Sequence, residues 1–234
     1  MDKRFWGVVV VIVLVFGGIF IFSNHSQNKG NSSDQPTNHV EGSGQDKVTL
    51  LEYGDYECPY CGQYFPIVKQ VEQEYGNLIY FQFRNLPLTE LHPNAYAGAR
   101  AAEAAALQNQ FWQMHDALYE YQNSWVSLTD PEPYFEQLAS QLGLNVTKFE
   151  QDYSSSQVNA SIQGDLAAFA KTGAEEATPT FFLDGKQINP DESVSSFETL
   201  LNAEILSKTG KPSPIIVSTP GTSSSSSTAP KSTQ

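Results

Sequence analysis

Hydrophobic and polar positions divide the chain into four stretches. Residues 5–22 carry no charge and no proline, residues 23–45 are dominated by Ser, Asn, Gln, Gly, His and Pro, positions 46 to about 206 interleave the two classes, and the apolar signal fades again after Ser207. In the interleaved part, Val48–Tyr53 (VTLLEY) predicts a strand, and Pro59–Tyr75 predicts a helix with proline in its first turn. Leu78–Phe83 (LIYFQF) predicts a second strand. One helix between two strands makes a βαβ unit, whose crossover implies parallel pairing.

From Pro93 to Lys171 the period changes. Leu107, Phe111, Met114, Leu118 and Tyr121 recur at steps of three and four, as do Val158, Ile162, Leu166 and Phe169, while Ala95, Ala99, Ala102 and Ala106 form a small-residue face. All three stripes read as helix packing. Thr180–Leu183, the turn pair Asp184-Gly185 and Lys186–Asn189 predict a hairpin, and Phe197, Leu201 and Ile205 mark a last helix. The order β, α, β, about four helices, β, β, α predicts an α/β sheet domain with a helical subdomain over one end.

The outer stretches refine the domain plan. Residues 5–22 number 18 and, at about 1.5 Å rise each, approach the roughly 30 Å hydrocarbon core of a bilayer. Lys3 and Arg4 precede them, which keeps the N-terminus cytoplasmic and sends the remainder across the membrane. A cleaved signal peptide is the competing reading. The run is longer than a usual signal core and no A-x-A-like site follows it, so a retained anchor is expected. The plan is then 1–22 as cytoplasmic N-terminus and transmembrane anchor, 23–45 as flexible tether, 46–209 as the folded domain with a helical insertion over about 90–175, and 210–234 as a disordered Ser/Thr/Pro-rich tail.

Charge excludes one class of partner. The chain carries a formal −13, and between Asp46 and Leu206 there are 23 acidic and 7 basic side chains. No basic patch could track a phosphate backbone, so nucleic-acid binding is not expected.

The whole sequence holds two cysteines, as Cys58-Pro59-Tyr60-Cys61 between the first strand and its helix. The first cysteine of such a motif meets the unpaired N–H groups and positive dipole end of the helix, which favour a thiolate, and the second lies one turn on. A structural disulfide closing so short a loop would stabilise by only about 2 kcal/mol. A structural zinc site needs about four ligands, and with His25 and His39 in the tether only His92 and His115 could complete one. An inert thiol pair would be oxidised outside the cytoplasm. Redox catalysis is the expectation.

The segments LLEYGDYECPYCGQY, FRNLPL with HPNA, and ATPTFFLDG together resemble the DsbA family of thioredoxin-like oxidoreductases, over most of Val48–Leu206. The resemblance implies a thioredoxin-like fold with an inserted helical subdomain. It also implies that Pro179 forms a cis-proline loop against the cysteines with Thr178 beside it, the alternative being a proline that merely starts a strand. Glu52, six residues before Cys58, matches the family's buried acid beneath the disulfide, where it could carry protons to and from Cys61; a surface carboxylate is the alternative. Pro59 and Tyr60 shape the site between the sulfurs. Strongly oxidising members of the family carry histidine where Tyr60 stands, and Asp55 and Glu57 add negative charge nearby, which opposes a thiolate. A milder oxidant is therefore expected.

The implied function is extracytoplasmic thiol-disulfide exchange, in which reduced or unfolded exported proteins are oxidised and an unidentified membrane redox partner restores the Cys58–Cys61 disulfide. No cofactor or metal is implied, since the cysteines carry the electrons. A tethered peptide-binding protein with a passive disulfide, and a reductase or isomerase fed from a transmembrane carrier, are the alternatives.

Overall fold

The computed structural model describes residues 35–215. The expected anchor at 5–22, most of the tether and the tail beyond 215 lie outside these residues. Among the described residues no helix is long and apolar enough to cross a membrane.

The central strand β2 (Val48–Gly54) is joined by α1 (Pro59–Tyr75) to β3 (Ile79–Asn85), and the two strands pair in parallel from Val48↔Ile79 to Gly54↔Asn85. The parallel pairing expected of the βαβ unit is thus found. On the other side of β2, β4 (Thr180–Leu183) runs antiparallel with Glu52 opposite Phe181, and β5 (Lys186–Ile188) pairs with β4. The hairpin turn places Asp184 at φ 47° and Gly185 at φ 82°, the double positive-φ pair that suits strand twist. The helix α8 (Val194–Thr209) packs on α1 and β2 and buries Phe197, Leu201 and Ile205.

Two boundaries differ from the sequence-based plan. His39–Glu41, expected within the tether, is an edge strand, β1, paired antiparallel with β3, so the sheet order is β1-β3-β2-β4-β5. Anchors from the helical insertion hold it: the His39 ring stacks on Phe111 with centroids 3.5 Å apart, and its Nε2 meets Glu103 at 2.9 Å. Just before it, Thr37 donates its N–H and hydroxyl to the buried Asp165 carboxylate. Three residues of polar strand carry no period that could announce this pairing. At the other end, 211–215 were expected in the disordered tail, yet Asn202 donates to the Ile215 carbonyl and Ile215 packs against the core.

The insertion between β3 and β4 holds α2 (Ala95–Ala106), α3 (Phe111–Glu120), α4 (Gln122–Trp125), α5 (Glu132–Gln141), α6 (Val146–Tyr153) and α7 (Ser156–Ala170). These are six helices rather than about four, because α4 is a single turn and short loops part the others. The stripe that begins at Leu107 is also divided: Leu107 ends α2, and Asn109 at φ 60° breaks the helix before Phe111. The small face of α2, with Ala95, Ala99 and Ala102 buried, lets α3, α6 and α7 approach closely. A cluster of rings from β3, α3 and the loop after β2 (Phe83, Phe111, His115, Tyr119 and Tyr56) joins the insertion to the sheet directly beneath the redox motif.

Candidate active site

Because β2 is central and only four residues separate it from α1, the loop Asp55-Tyr56-Glu57 delivers Cys58 to the C-terminal edge of the sheet. Cys58 is the N-cap of α1 with extended backbone (φ −63°, ψ 122°), and Pro59 occupies the first helical position. Proline's absent N–H is no loss there. No side chain caps this helix end, so its N–H groups are left for the sulfur. Carbonyls of the loop are held instead by Gln122 of α4, whose Nε2 donates to Tyr56 O and Cys58 O at 2.9 Å each.

The two free cysteines lie 4.0 Å apart. Thr178-Pro179 is a cis peptide bond, and the Cys58 thiol donates to Thr178 O at 3.4 Å. Asp55 N–H donates to Cys61 Sγ at 3.5 Å. Cys61 is 0% exposed and Cys58 only 3%. The Thr178-Pro179 loop lies over it, so an attacking thiolate must come in along the loop rather than from above. Beside that loop a groove of about 300 Å³ is lined by Tyr60, Tyr64, Pro179, Phe181, Ile188 and Glu192. Tyr60, 58% exposed, is the open wall of the groove.

Electrostatics separate the two thiols. The hydrogen bond from Cys61 is the largest influence on Cys58; together with the Thr178 side chain and the N–H groups of Cys61 and Tyr60 it outweighs burial and lowers the thiol from 9.0 to about 6. Among the described residues the Thr178 hydroxyl has no partner beside the neutral thiol, and is available to the thiolate. Cys61 moves the other way, because burial, its bond to Cys58 and the nearby Glu52 all disfavour its thiolate.

The expected opposition from Asp55 and Glu57 is not found, because both carboxylates are turned away into loop contacts. Asp55 is buried and accepts from Glu57 N at 2.9 Å, Leu88 N at 3.0 Å and His92 Nδ1 at 2.7 Å, while Glu57 accepts from Asn94 N. Together they stitch the loop before Cys58 to the loop 86–94. That arrangement explains why the HPNA segment follows the strand, a connection that sequence spacing alone left unread. Of the four histidines, His39, His92 and His115 all have such structural partners, His115 bonding Tyr56 at 3.0 Å. Among the described residues no group of three or more His, Cys, Asp or Glu side chains could hold a metal ion.

Glu52 is 4% exposed on β2, on the face toward α1. Burial first, then the charges of Glu72 and Cys58, raise its carboxyl from 4.5 to about 8. A surface carboxylate is ruled out, and burial favours the protonated, neutral acid.

A family model described as Thioredoxin matches residues 34–203. Among curated proteins, an Na(+)/H(+) antiporter NhaA 3 of Salinispora tropica is 38% identical over 154 residues, 66% of this chain but 22% of that protein. The chain thus spans under a quarter of that relative, and the antiporter name describes a protein most of which has no counterpart here. Among solved structures, a thioredoxin-like oxidoreductase from Silicibacter pomeroyi is 24% identical with a TM-score of 0.60, covering 76% of this chain and 97% of that one. BdbD from Bacillus subtilis is 20% identical with a TM-score of 0.62, covering 73% and 96%. Alpha-DsbA1 of Wolbachia pipientis is 16% identical with a TM-score of 0.64, covering 74% and 94%. These likenesses extend the shared fold to the helical insertion.

Proposed function

From the premise that the chain belongs to the thioredoxin family, we propose that it is a DsbA-type thiol-disulfide oxidoreductase that introduces disulfides into exported proteins through Cys58 and Cys61. The observation that carries this reading is the division of labour between the cysteines. A thiol near pKa 6 at a helix N-terminus leaves readily as thiolate, and its neighbour, held neutral by burial, waits one turn on.

The cycle starts from the Cys58–Cys61 disulfide. A substrate thiolate approaches along the Thr178-Pro179 loop and bonds to Cys58 Sγ; the Cys58–Cys61 bond breaks with its electron pair on Cys61, which takes a proton from Glu52. A second substrate thiolate then attacks the substrate sulfur, and Cys58 departs as thiolate. The substrate gains a disulfide, and the enzyme holds two electrons for a membrane redox partner to remove. Because an easily formed Cys58 thiolate stabilises the reduced enzyme, the pair is an oxidant. Titration of the domain against glutathione should give a potential well above the roughly −300 mV of structural disulfides, with thiolate absorbance rising around pH 6. A potential at or below that of structural disulfides, or no oxidation of a reduced peptide, would defeat the reading in favour of a passive staple in a binding protein.

The reading also places the domain outside the cytoplasm, tethered by residues 5–22, whose apolar run follows Lys3 and Arg4. Protease added to spheroplasts should remove the domain. Full protection would overturn the orientation, and a free soluble form cut near Ser23 would overturn the anchor.

A further inference from the structure

The mechanism above leaves one buried polar group without a task. Tyr119, on α3, is 6% exposed, and its hydroxyl has no hydrogen-bond partner among the described residues. An unpaired buried hydroxyl is unfavourable, so its presence points to a partner that exists only in part of the cycle.

Its position suggests which. The hydroxyl lies over Gly54: a Cβ at that glycine would stand 2.9 Å from the Tyr119 oxygen and 2.4 Å from the Phe83 ring. Gly54 and Glu52 are two residues apart on β2 and so share a face of the sheet. The next residue, Asp55, donates its N–H to Cys61 Sγ. The missing side chain of Gly54 therefore makes room for the Tyr119 oxygen on the same face as the Glu52 carboxyl, beside the strand end that touches Cys61. Cys61 and Glu52 are also the two strongest charges acting on this phenol. Phe65 stacks on the Tyr119 ring at 5.2 Å, and Tyr56 and His115 lie against it at 4.9 and 5.1 Å, which fixes where the oxygen points.

We propose that the Tyr119 hydroxyl is a positioning residue for the proton exchange between Glu52 and Cys61, donating its O–H to whichever of the two is charged. This rests on the exchange cycle proposed above. When the disulfide opens, the electron pair falls on Cys61, and Tyr119 turns its O–H toward that sulfur. As the proton passes from the Glu52 carboxyl to Cys61, the charge moves to the carboxylate and the O–H follows it. On reoxidation the proton returns to Glu52 as Cys61 becomes a nucleophile. Tyr119 keeps its own proton throughout, and no other reactant is needed.

Tyr119→Phe deletes one oxygen and no ring contact, so the variant folds. The titratable groups facing this chamber are Glu52 of β2, Asp55 and Tyr56 of the following loop, Cys58 at the N-cap of α1, Cys61 and Glu72 within α1, and His115 of α3. The full domain in oxidised form would be opened by dithiothreitol and quenched by alkylation across pH, for the parent, Tyr119→Phe, Glu52→Gln, the double variant and Tyr56→Phe. Tyr119→Phe should be slower by about tenfold at neutral pH, the size expected of a hydrogen bond to a charged group, with the pH profile displaced. In Glu52→Gln the Cys61 sulfur leaves as an anion to which Tyr119 still donates, so the double variant should be slower than Glu52→Gln alone by at least the same factor of about ten, and Tyr56→Phe, whose hydroxyl is already bonded to His115, should match the parent. A parental rate and profile for Tyr119→Phe, equal slowing by Tyr56→Phe, or a double variant as fast as Glu52→Gln alone would each overturn the proposal. Failure of the parent itself to exchange disulfides would instead overturn the proposed function.

Discussion

Cys61→Ala should accumulate covalent complexes with exported thiol proteins and with glutathione, and Cys58→Ala should not. Removing Cys61 takes away the hydrogen bond that lowers the Cys58 thiol most, but the Thr178 side chain and the backbone N–H groups at 60 and 61 still favour its thiolate, which has no internal thiol to resolve what it attacks. Adducts should run as slow bands on a non-reducing gel and vanish with dithiothreitol. In Cys58→Ala the remaining sulfur is fully buried and held protonated, so labelling should be lower by two orders of magnitude or more, in keeping with a thiolate fraction that falls about tenfold per pH unit. A passive disulfide gives a different pattern, in which both single variants lose about 2 kcal/mol and neither traps a partner. Equal trapping by the two variants, or none by Cys61→Ala, would refute the roles assigned to the sulfurs.

What could be read without coordinates was whatever is encoded by contiguous residues. The βαβ start, the C-P-Y-C tetrad at a helix N-terminus, the hairpin at Asp184-Gly185 and the faces of α2, α7 and α8 each have a local period or turn chemistry, and the structure carries all of them. Glu52 was reachable because it lies a fixed distance before Cys58 on the same strand. Groups joined only through the fold were not reachable. Asp55 looked like a charge that would oppose the thiolate, because its partners at Leu88 and His92 are 33 and 37 residues away. Tyr119 lies off the Met114, Leu118 and Tyr121 stripe, on a flank of α3 that faces the sheet, so its periodicity announced packing at most. The edge strand at His39–Glu41 owes its place to Phe111, Glu103 and Asp165, none of which could be linked to a polar tripeptide beforehand.

Glu52→Gln should make the protein more stable and a poorer enzyme. The sign follows from the carboxyl's two environments: about 4.5 when unfolded and about 8 when folded. Below pH 4.5 the acid is protonated in both states and the fold is not penalised. Between the two values folding must take up a proton, so the native state loses about 1.4 kcal/mol per pH unit relative to a neutral side chain, and above pH 8 the loss is constant. At pH 7 Glu52→Gln should therefore gain about 3 kcal/mol, and the gain should shrink toward zero as denaturation is repeated down to pH 4.5. Opening of the Cys58–Cys61 disulfide by a thiol should meanwhile slow by about a hundredfold at neutral pH, the scale of a lost proton donor, because Cys61 must then leave as a buried anion. Stability gained with exchange unchanged would reduce Glu52 to a buried acid with no part in the reaction. Stability lost at neutral pH would mean that the carboxyl is not neutral in the fold, and the proton exchange assigned to it would fall with that. A protein that retains so unfavourable an acid beneath its redox pair is expected to show both effects in one variant, since the burial that keeps the carboxyl protonated and able to give its proton to Cys61 is also what destabilises the fold.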